Sequence, residues 1–295
     1  MNGDIPVPIR PAKLAPIKLS NPATHEFWEL PALYEDEHLL ALNKPPCLLT
    51  SPDRYDPERP NLMRLLHQGI TDQKPWAKQR NLSYLMNAHG LDFETSGVIL
   101  LAKSKPVLVS LANLFGAEKP AKTYVALVRG TPAETTWEVD LPLAMHPVQV
   151  GRMRVDRKGG KKSKTRFALL EKFPGYSLLR CQPQTGRTHQ IRVHLQSCAL
   201  PICGDTVYGG RPLWLSSLTS DYPLKPGRTE RPLIATVALH AEALELVHPV
   251  TGAQLRITAP WPKDFEVAVK YLRRHALPSA EPAGSAPAPE LPEAS

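Results

Sequence analysis

Asp92 lies in the segment whose residue types are best suited to chemistry. The segment is His89-Gly-Leu-Asp-Phe-Glu-Thr-Ser-Gly97, and it runs directly into the apolar stretch Val98–Ala102. A carboxylate among small residues just before a buried strand predicts a tight loop at a sheet edge, where polar side chains are often functional. Two other interpretations stay open. Asp92 or Thr95 could simply organise an Asx-type turn, and Asp92 with Glu94 could form a carboxylate pair for glycosidic chemistry.

A second segment, Gln184–His194, combines arginine, imidazole and amide side chains. Thr188 could cap a helix on which Arg192 and His189 share one face, with Arg187 at the turn before it. Two arginines beside amide and imidazole donors suit the binding of a phosphate or the pairing of a carboxylate. The alternative is a solvated basic helix.

A third segment, Gly151–Arg166, has eight Lys and Arg among sixteen residues, with a Gly-Gly break. A flexible loop of this charge density predicts contact with a polyphosphate. Such a run is also compatible with a solvated face that binds nothing.

The histidines and cysteines do not predict a metal site. His189 and His194 are five residues apart and do not share a helical face, and Cys198 and Cys203 have no second ligand pair at zinc spacing. We expect the four cysteines to be buried, reduced thiols.

Composition narrows the class of protein. The chain has 295 residues, 36 Lys and Arg against 28 Asp and Glu, and a formal net charge of +8. This balance suits a polyanionic partner or simply a soluble surface. No apolar run approaches the roughly 18 residues of a membrane helix, and no secretory signal is visible at the N-terminus. We therefore expect a soluble, cytoplasmic protein without a membrane partner.

The elements that must position these segments fall into three zones. Residues 1–25, with five prolines, predict an extended N-terminal arm, and the Pro/Ala-rich residues 276–295 predict a disordered tail. Between them, residues 26–275 alternate strand and helix patterns. Hairpins outnumber strand–helix–strand crossovers, which favours an α+β domain with a mostly antiparallel sheet. The predicted hairpins turn near Asp36, Pro174 and Pro249, a strand covers Lys122–Val128, and helices follow Ser104 and begin near Phe265.

Taken in this order, the segments resemble the RluA-type RNA pseudouridine synthase family. HGLDFETSG stands where that family has His-Arg-Leu-Asp-x-x-Thr-Ser-Gly, and Lys122–Gly130 fits its Lys-x-Tyr-x-Ala-x-Val-x-Gly motif. Three further motifs match at Thr185–His194, Pro201–Gly209 and Leu239–Gly252. The resemblance spans about residues 30–262. It implies the pseudouridine synthase fold, with a mainly antiparallel mixed sheet, flanking helices and a central active-site cleft.

The resemblance also implies an activity and roles for individual residues. Uridine within tRNA or rRNA would be isomerised to pseudouridine without metal or cofactor, by a protein that we expect to be a monomer. Asp92 matches the nucleophile, Tyr124 the tyrosine that packs on the flipped base, and Arg192 the arginine that pairs with the catalytic carboxylate. Tyr124 could also help to remove the C5 proton, although a phenol is a weak base unless its surroundings help. The residues expected to bind RNA are His89, Thr95, Lys122, Arg187, His189, Gln190, Arg152, Arg154, Lys161 and Lys162.

Gly90 departs from the family motif, which has arginine at this position. An arginine can enter the space vacated by a flipped nucleotide and touch phosphate, whereas glycine can do neither. Arg54, Arg80 or the basic segment could compensate, and the residues before about 30 are too few for the family's optional S4 RNA-binding module. Two alternatives remain: a non-catalytic RNA-binding or RNA-folding protein on the same scaffold, and a sugar or nucleoside hydrolase using Asp92 and Glu94.

Overall fold

One large mixed sheet organises the fold. The structure, a computed structural model, describes residues 15–54, 56–219 and 227–275. Its strands are β1 (Ile17–Asn21), β2 (Glu26–Leu30), β3 (Ala32–Glu35), β4 (Leu39–Lys44), β5 (Met86–Asn87), β6 (Ser96–Ala102), β7 (Ala121–Arg129), β8 (Thr136–Asp140), β9 (Leu143–Met145), β10 (Met153–Val155), β11 (Lys164–Phe173), β12 (Tyr176–Pro183), β13 (Leu239–Val247) and β14 (Gln254–Thr258). Its helices are α1 (Leu62–Thr71), α2 (Pro75–Gln79), α3 (Lys105–Gly116), α4 (Gln190–Ser197) and α5 (Lys263–His275), with short 3-10 helices at Thr206–Tyr208 and Leu215–Ser217.

Within the described ranges, ten strands share this sheet in the order β3-β4-β6-β13-β7-β12-β11-β8, with β5 on β6 and β14 on β13. Neighbouring strands are antiparallel except for β6 and β13, which are parallel. Helices flank the sheet, so the predicted α+β class with a mainly antiparallel mixed sheet is confirmed. None of the helices in these ranges is long and apolar enough to cross a membrane.

The local patterns that predicted hairpins and helices are also confirmed. The strand pairs β3–β4, β11–β12 and β13–β14 are antiparallel hairpins. In the turn between β11 and β12, Gly175 has a φ of 76°, which glycine adopts at little cost. Ser104 is the N-cap of α3, and Val107 and Leu111 are buried on that helix. On α5 the apolar face of Phe265, Ala268, Val269 and Leu272 is buried.

Strand β6 carries the chain from the Asp92 loop into the core. All seven of its residues are buried. Ile99 and Leu101 join the apolar cluster that includes α1 and β1, whereas Val98 and Leu100 join the cluster beneath α3. Since alternate residues of a strand face opposite sides of a sheet, both faces are covered here, and the continuous apolar run follows.

The parallel contact between β6 and β13 depends on Gly97. Its φ is 115°, and a Cβ atom there would lie 2.2 Å from the carbonyl oxygen of Ala241. Only glycine allows the two strands to approach this closely. The contact fixes the loop before β6 against β13 and, through it, against β7 and β12, which carry the other active-site segments.

The predicted N-terminal arm is in part a component of the core. Its described part forms β1, which pairs with β2, and the boundary drawn at residue 25 falls within this hairpin. Ile17 and Leu19 are buried, in the same apolar cluster as Leu30 and Leu66. The predicted tail, residues 276–295, lies outside the described residues.

The basic segment 151–166 was expected to be a flexible loop, and in the structure it is ordered backbone. Strand β10 pairs with β9, and the Asp156 carboxylate accepts hydrogen bonds from the backbone N–H groups of Lys158 and Gly159. Gly160 packs tightly, since a Cβ atom there would lie 2.4 Å from the carbonyl oxygen of Asp156. Local turn chemistry and strand pairing therefore give the segment a defined backbone structure.

Candidate active site

The sequence-predicted segments meet around one cavity of about 440 Å³. The loop before β6, strand β7, the loop after β12 and helix α4 all contribute to its wall. Of the thirteen predicted site residues, nine line this cavity: His89, Asp92, Thr95, Lys122, Tyr124, Arg187, His189, Gln190 and Arg192. The other four, Arg152, Arg154, Lys161 and Lys162, are not part of its wall.

Asp92 faces two side-chain nitrogen atoms across this cavity. Its Oδ2 lies 3.4 Å from Arg192 Nη1 and 3.9 Å from His189 Nε2. The Asp92 side chain keeps 23% of its exposure, whereas the Arg192 side chain keeps 5%. A partly accessible carboxylate held beside a buried guanidinium is suited to attack a bound substrate, because the cation stabilises its negative charge.

Arg192 is held more tightly by a second carboxylate, Asp205. Arg192 Nε donates to Asp205 Oδ2 at 2.7 Å and Nη2 donates to Oδ1 at 2.8 Å, a bidentate pair. Burial alone would lower the pKa of Arg192, but the hydrogen bonds and charge of Asp205, with the charge of Asp92, raise it above its ordinary value. The guanidinium is thus a fixed positive charge. Asp205 orients it, and its remaining nitrogen lies beside Asp92.

Helix α4 begins differently from the prediction. The N-cap is His189, not Thr188, and it has a φ of 53°, in the left-handed region. The alternative of a solvated basic helix is wrong, because all six residues of Gln190–Leu195 are buried. Ile191 and Leu195 pack into the core, as their spacing predicted. The helix therefore presents Arg192 to the cavity from a rigid, packed position.

Tyr124 lines the cavity from β7, next to β12 on one side and β13 on the other. Burial, and to a smaller extent the charge of Asp92, raise the pKa of the Tyr124 phenol. The surroundings therefore weaken it further as a source of phenolate. A neutral phenol ring remains suited to packing against a planar base and to donating a hydrogen bond.

His89 fixes the loop that carries Asp92. Its Nε2 accepts a hydrogen bond of 3.0 Å from the backbone N–H of Leu100, and its ring stacks on Phe115 at a centroid distance of 4.7 Å. Burial lowers the pKa of His89 to about 3, so the ring is neutral at pH 7 and can accept this bond. Its contacts within the protein point to orientation of the loop.

Gln190 is also occupied by the protein itself. Its Oε1 accepts from Thr185 Oγ1 and from the Arg187 backbone, and its Nε2 donates to Lys164 O and Thr165 Oγ1. These four hydrogen bonds use the full capacity of the amide. Gln190 thus shapes the turn before α4, and its geometry does not support the predicted contact with RNA.

The remaining predicted residues of the cavity wall keep polar groups available. Thr95 Oγ1 is buried and has no hydrogen-bond partner among the described residues. Lys122 Nζ lies 3.4 Å from Thr185 O, and burial lowers its pKa. Arg187 donates to Lys162 O at 3.0 Å and lies 3.5 Å from Glu118 at the edge of the site. These groups suit recognition of a polar, anionic ligand.

The positions of Asp92 and Glu94 argue against the carboxylate pair considered for them, because the two side chains line different cavities. Glu94 lines a separate small cavity with Pro46 and Asp264 and takes no part in the wall around Asp92. The described residues also contain no group of three or more His, Cys, Asp and Glu side chains placed to hold a metal ion.

Arg80 cannot replace an arginine at position 90. Its side chain is 8% exposed, its Nε donates to Glu35 at 2.9 Å, and its Nη2 contacts the carbonyl of Ala15. Arg54, by contrast, is exposed. Gly90 itself is exposed and lies on the cavity wall.

Asp205 and Tyr208 were not among the predicted site residues, although both belong to the matched segment Pro201–Gly209. A signal was present for Asp205, because a guanidinium on an apolar helix needs a buried carboxylate. Lys44 was missed as well. Its Nζ is fully buried and donates to the carbonyl oxygens of Pro45, Leu48 and Phe93 at 2.9, 2.7 and 3.3 Å, which ties β4 to the Asp92 loop.

The chain is similar to known proteins over most of its length. The family model described as RNA pseudouridylate synthase matches residues 38–197, which include every residue discussed around Asp92 except Asp205 and Tyr208. Ribosomal large subunit pseudouridine synthase D of Xanthomonas campestris pv. campestris is 34% identical over 261 residues, covering 85% of this chain and 72% of that protein. Ribosomal large subunit pseudouridine synthase C of Salmonella typhi is 37% identical over 246 residues, covering 83% and 70%.

Solved structures show the same fold. Human RNA pseudouridylate synthase domain containing 4 superposes with a TM-score of 0.61 at 23% identity, covering 84% of this chain and 94% of that one. Human RNA pseudouridylate synthase domain containing 1 gives a TM-score of 0.59, also at 23% identity, covering 85% and 97%. Family match, relatives and fold agree: the chain belongs to the RNA pseudouridylate synthase family, in its RluA-type group, and is a pseudouridine synthase, an isomerase of uridine in RNA.

Proposed function

We propose that this protein isomerises a uridine of large-subunit ribosomal RNA and that Asp92 is its nucleophile. The observation that carries the proposal is the convergence of Asp92, Arg192, His189 and Tyr124 on one cavity, with Arg192 and His189 facing the Asp92 carboxylate at 3.4 and 3.9 Å.

The target uridine must leave its stack before the cavity can receive it, at a cost of a few kcal/mol. The ring of Tyr124 offers a surface on which the base can pack. Thr95 Oγ1 and Lys122 offer hydrogen bonds within the same wall. These contacts can repay part of the unstacking cost.

The Asp92 carboxylate then begins the reaction. Three first steps are open to it: attack on the ribose, attack on the base, or removal of a ribose proton. In each, the N-glycosidic bond breaks, the uracil turns, and its C5 bonds to the ribose while Asp92 gives up the bond or the proton that it took. The C5 proton then leaves and the freed N1 gains one. Arg192 acts throughout as a fixed cation beside the reacting carboxylate, in a position set by Asp205.

The choice of ribosomal RNA rests on the relatives, which are named as ribosomal large subunit pseudouridine synthases and are 34% and 37% identical to this chain over most of its length. The net positive charge of the chain supports a polyanionic partner such as RNA. Lys161 and Lys162 are exposed on the segment that leads into β11, and the Lys162 carbonyl accepts a hydrogen bond from Arg187 in the cavity wall. On the same segment, Arg152 immediately precedes β10 and Arg154 is the middle residue of that strand. We propose that these four residues hold the RNA backbone beside the cavity.

The role of Asp92 is tested with Asp92→Asn, which keeps the shape of the side chain and removes its charge. We expect pseudouridine formation in a ribosomal RNA transcript to fall by about a thousand-fold or more, the scale typical of a lost nucleophile. Asp72→Asn, at the exposed C-cap of α1, is the matched control and should be as active as the wild type. An Asp92→Asn variant that still forms pseudouridine would disprove the role.

The substrate is tested by mapping pseudouridines in cellular RNA with and without the gene. We expect at least one site in large-subunit ribosomal RNA to be lost. A site lost only from tRNA would overturn the proposed RNA class but keep the chemistry. If no site were lost, the non-catalytic RNA-binding alternative would replace this proposal.

A further inference from the structure

Tyr208 lies behind His189 and makes a contact that no part of the reaction scheme above uses. It sits in the 3-10 helix Thr206–Tyr208 and is 1% exposed. Its hydroxyl oxygen is 2.9 Å from the backbone nitrogen of Met153 and 2.8 Å from His189 Nδ1. The two rings meet edge to face at a centroid distance of 5.6 Å.

The direction of each hydrogen bond follows from the groups involved. A backbone N–H can only donate, so the Tyr208 oxygen accepts from Met153. The phenol proton then needs an acceptor of its own, and among the described residues the only one in contact with the hydroxyl is His189 Nδ1. A neutral imidazole that accepts at Nδ1 carries its proton on Nε2.

The opposite edge of the same ring faces the proposed nucleophile. His189 Nε2 lies 3.9 Å from Asp92 Oδ2. An N–H at this position directs a donor toward the carboxylate, whereas the other tautomer would place two lone pairs against each other. Contacts of this kind commonly shorten when a substrate binds.

We propose that Tyr208 is a positioning residue that holds His189 in its Nε2–H tautomer, so that a hydrogen-bond donor faces Asp92 and the substrate atoms beside it. The role of His189 Nε2–H in the reaction rests on the proposed function of Asp92. The assignment of the tautomer itself is independent of that function. The Tyr208 oxygen also accepts a hydrogen bond from the backbone N–H of Met153, at the start of β10. One hydroxyl group therefore contacts both the basic segment 151–166 and the His189 imidazole.

The charges around His189 are compatible with this assignment. The charges of Asp92, Asp205 and Arg192 act on the ring, Tyr208 meets its edge, and Arg152 lies over the Tyr208 ring at 5.6 Å. Burial, opposed by Asp92, lowers the pKa of His189. The ring is therefore neutral at pH 7, as a tautomer requires. Since a donor at Nδ1 stabilises the neutral ring, removing it should raise this pKa.

The test combines nitrogen-15 spectra of histidine-labelled protein with kinetics. In the full-length wild type, with the His189 signals assigned by their loss in His189→Gln, we expect the pattern of an Nε2–H imidazole. In Tyr208→Phe, which keeps the ring, we expect a mixture of tautomers and a His189 titration moved to higher pH. We also expect kcat to fall about ten-fold with KM nearly unchanged, the scale of one unsatisfied buried group.

Tyr34→Phe is the matched control, since it removes a phenol that donates to Asp36 at 2.6 Å outside the cavity wall. It should change neither the spectra of His189 nor kcat. An Nδ1–H imidazole in the wild type would overturn the proposal even if Tyr208→Phe failed to fold. An unchanged tautomer and kcat in Tyr208→Phe would also overturn it. If Asp92→Asn kept its activity while the tautomer was as expected, the proposed nucleophile would be wrong and the role of Tyr208 would stand.

Discussion

At the scale of single residues, the site depends on an unequal sharing of Arg192. Asp205 accepts two hydrogen bonds from Arg192, from Nε at 2.7 Å and from Nη2 at 2.8 Å. The remaining nitrogen, Nη1, lies 3.4 Å from Asp92. Asp205 is fully buried, whereas Asp92 is partly accessible. The tight pair provides orientation, and the loose pair leaves Asp92 free to react.

This division predicts the effect of Asp205→Asn. Removing the buried carboxylate leaves Arg192 with only its loose partner Asp92 at 3.4 Å, so we expect the free energy of unfolding to fall by about 3–5 kcal/mol and kcat to fall as well. Glu171→Gln is the matched control, since it removes one carboxylate from a bidentate arginine pair on the surface, with Arg273. That variant should lose no more than about 1 kcal/mol. Equal denaturant midpoints for the two variants would contradict the prediction.

Gly90 supports a prediction about affinity. The atoms nearest to a Cβ atom at this position would be those of Thr50, at 3.7–3.8 Å, which is ordinary contact, and Gly90 is exposed, so a longer side chain can be accommodated. Gly90→Arg should therefore tighten RNA binding and make it more dependent on salt, with a slope steeper by about 0.7–0.9 for one added phosphate contact. Gly90→Ala is the control for the backbone and should bind as the wild type does. Equal or weaker RNA binding and activity in Gly90→Arg would disprove the idea.

At the scale of elements, most of the secondary structure follows from local pattern, and the assembly of the site does not. Period-two patterns and turn residues predicted the hairpins of β3–β4 and β11–β12. The left-handed start of α4 at His189 was missed, because it depends on packing and not on the local propensity of Thr188. The parallel contact of Ser96 with His240 joins residues 144 apart in sequence, a distance over which no local pattern operates. The motif match placed Asp92 and Arg192 together, but only the structure assigned the bidentate partner, Asp205.

Lys44 links two elements of the fold, and its effect on the free energy of unfolding depends on pH. It joins the end of β4 to the Asp92 loop through the carbonyl of Phe93, and burial lowers its pKa from 10.5 to about 7, although Asp92 opposes this. Since the unfolded lysine keeps its proton up to about pH 10, the unfolded state binds more protons between about pH 7 and 10. The free energy of unfolding should therefore rise with pH in this window, by about 2 kcal/mol from pH 7 to 9.

Lys44→Met should lack this rise, because it carries no proton to release. It should also be less stable at pH 7, since three carbonyl groups lose a donor. Urea unfolding of both proteins at pH 7, 8 and 9 measures the difference. Parallel pH dependences for the wild type and Lys44→Met would show that Lys44 does not titrate in this range.

At the scale of the whole molecule, the hairpin of β1 and β2 closes one face of the sheet. Ile17 and Leu19 point into the same cluster as Leu30, Leu62 and Leu66, and α1 packs on β1. Arg80 adds a polar attachment to the carbonyl of Ala15. The first strand is therefore part of the cooperative unit that also holds β6 and, with it, the Asp92 loop.

If so, a single truncation in β1 should weaken the entire domain. Ile17 is fully buried and Lys18, its neighbour, is exposed, so Ile17→Ala and Lys18→Ala form a matched pair on one strand. We expect Ile17→Ala to lower the free energy of unfolding by about 2–5 kcal/mol, the cost of a cavity in a packed core, and Lys18→Ala to stay within about 0.5 kcal/mol of the wild type. A peripheral arm would give two equally small effects. Because β1 shares its cluster with Ile99 and Leu101 of β6, hydrogen exchange at β6 should also accelerate in Ile17→Ala, whereas local fraying would confine the change to residues 17–30.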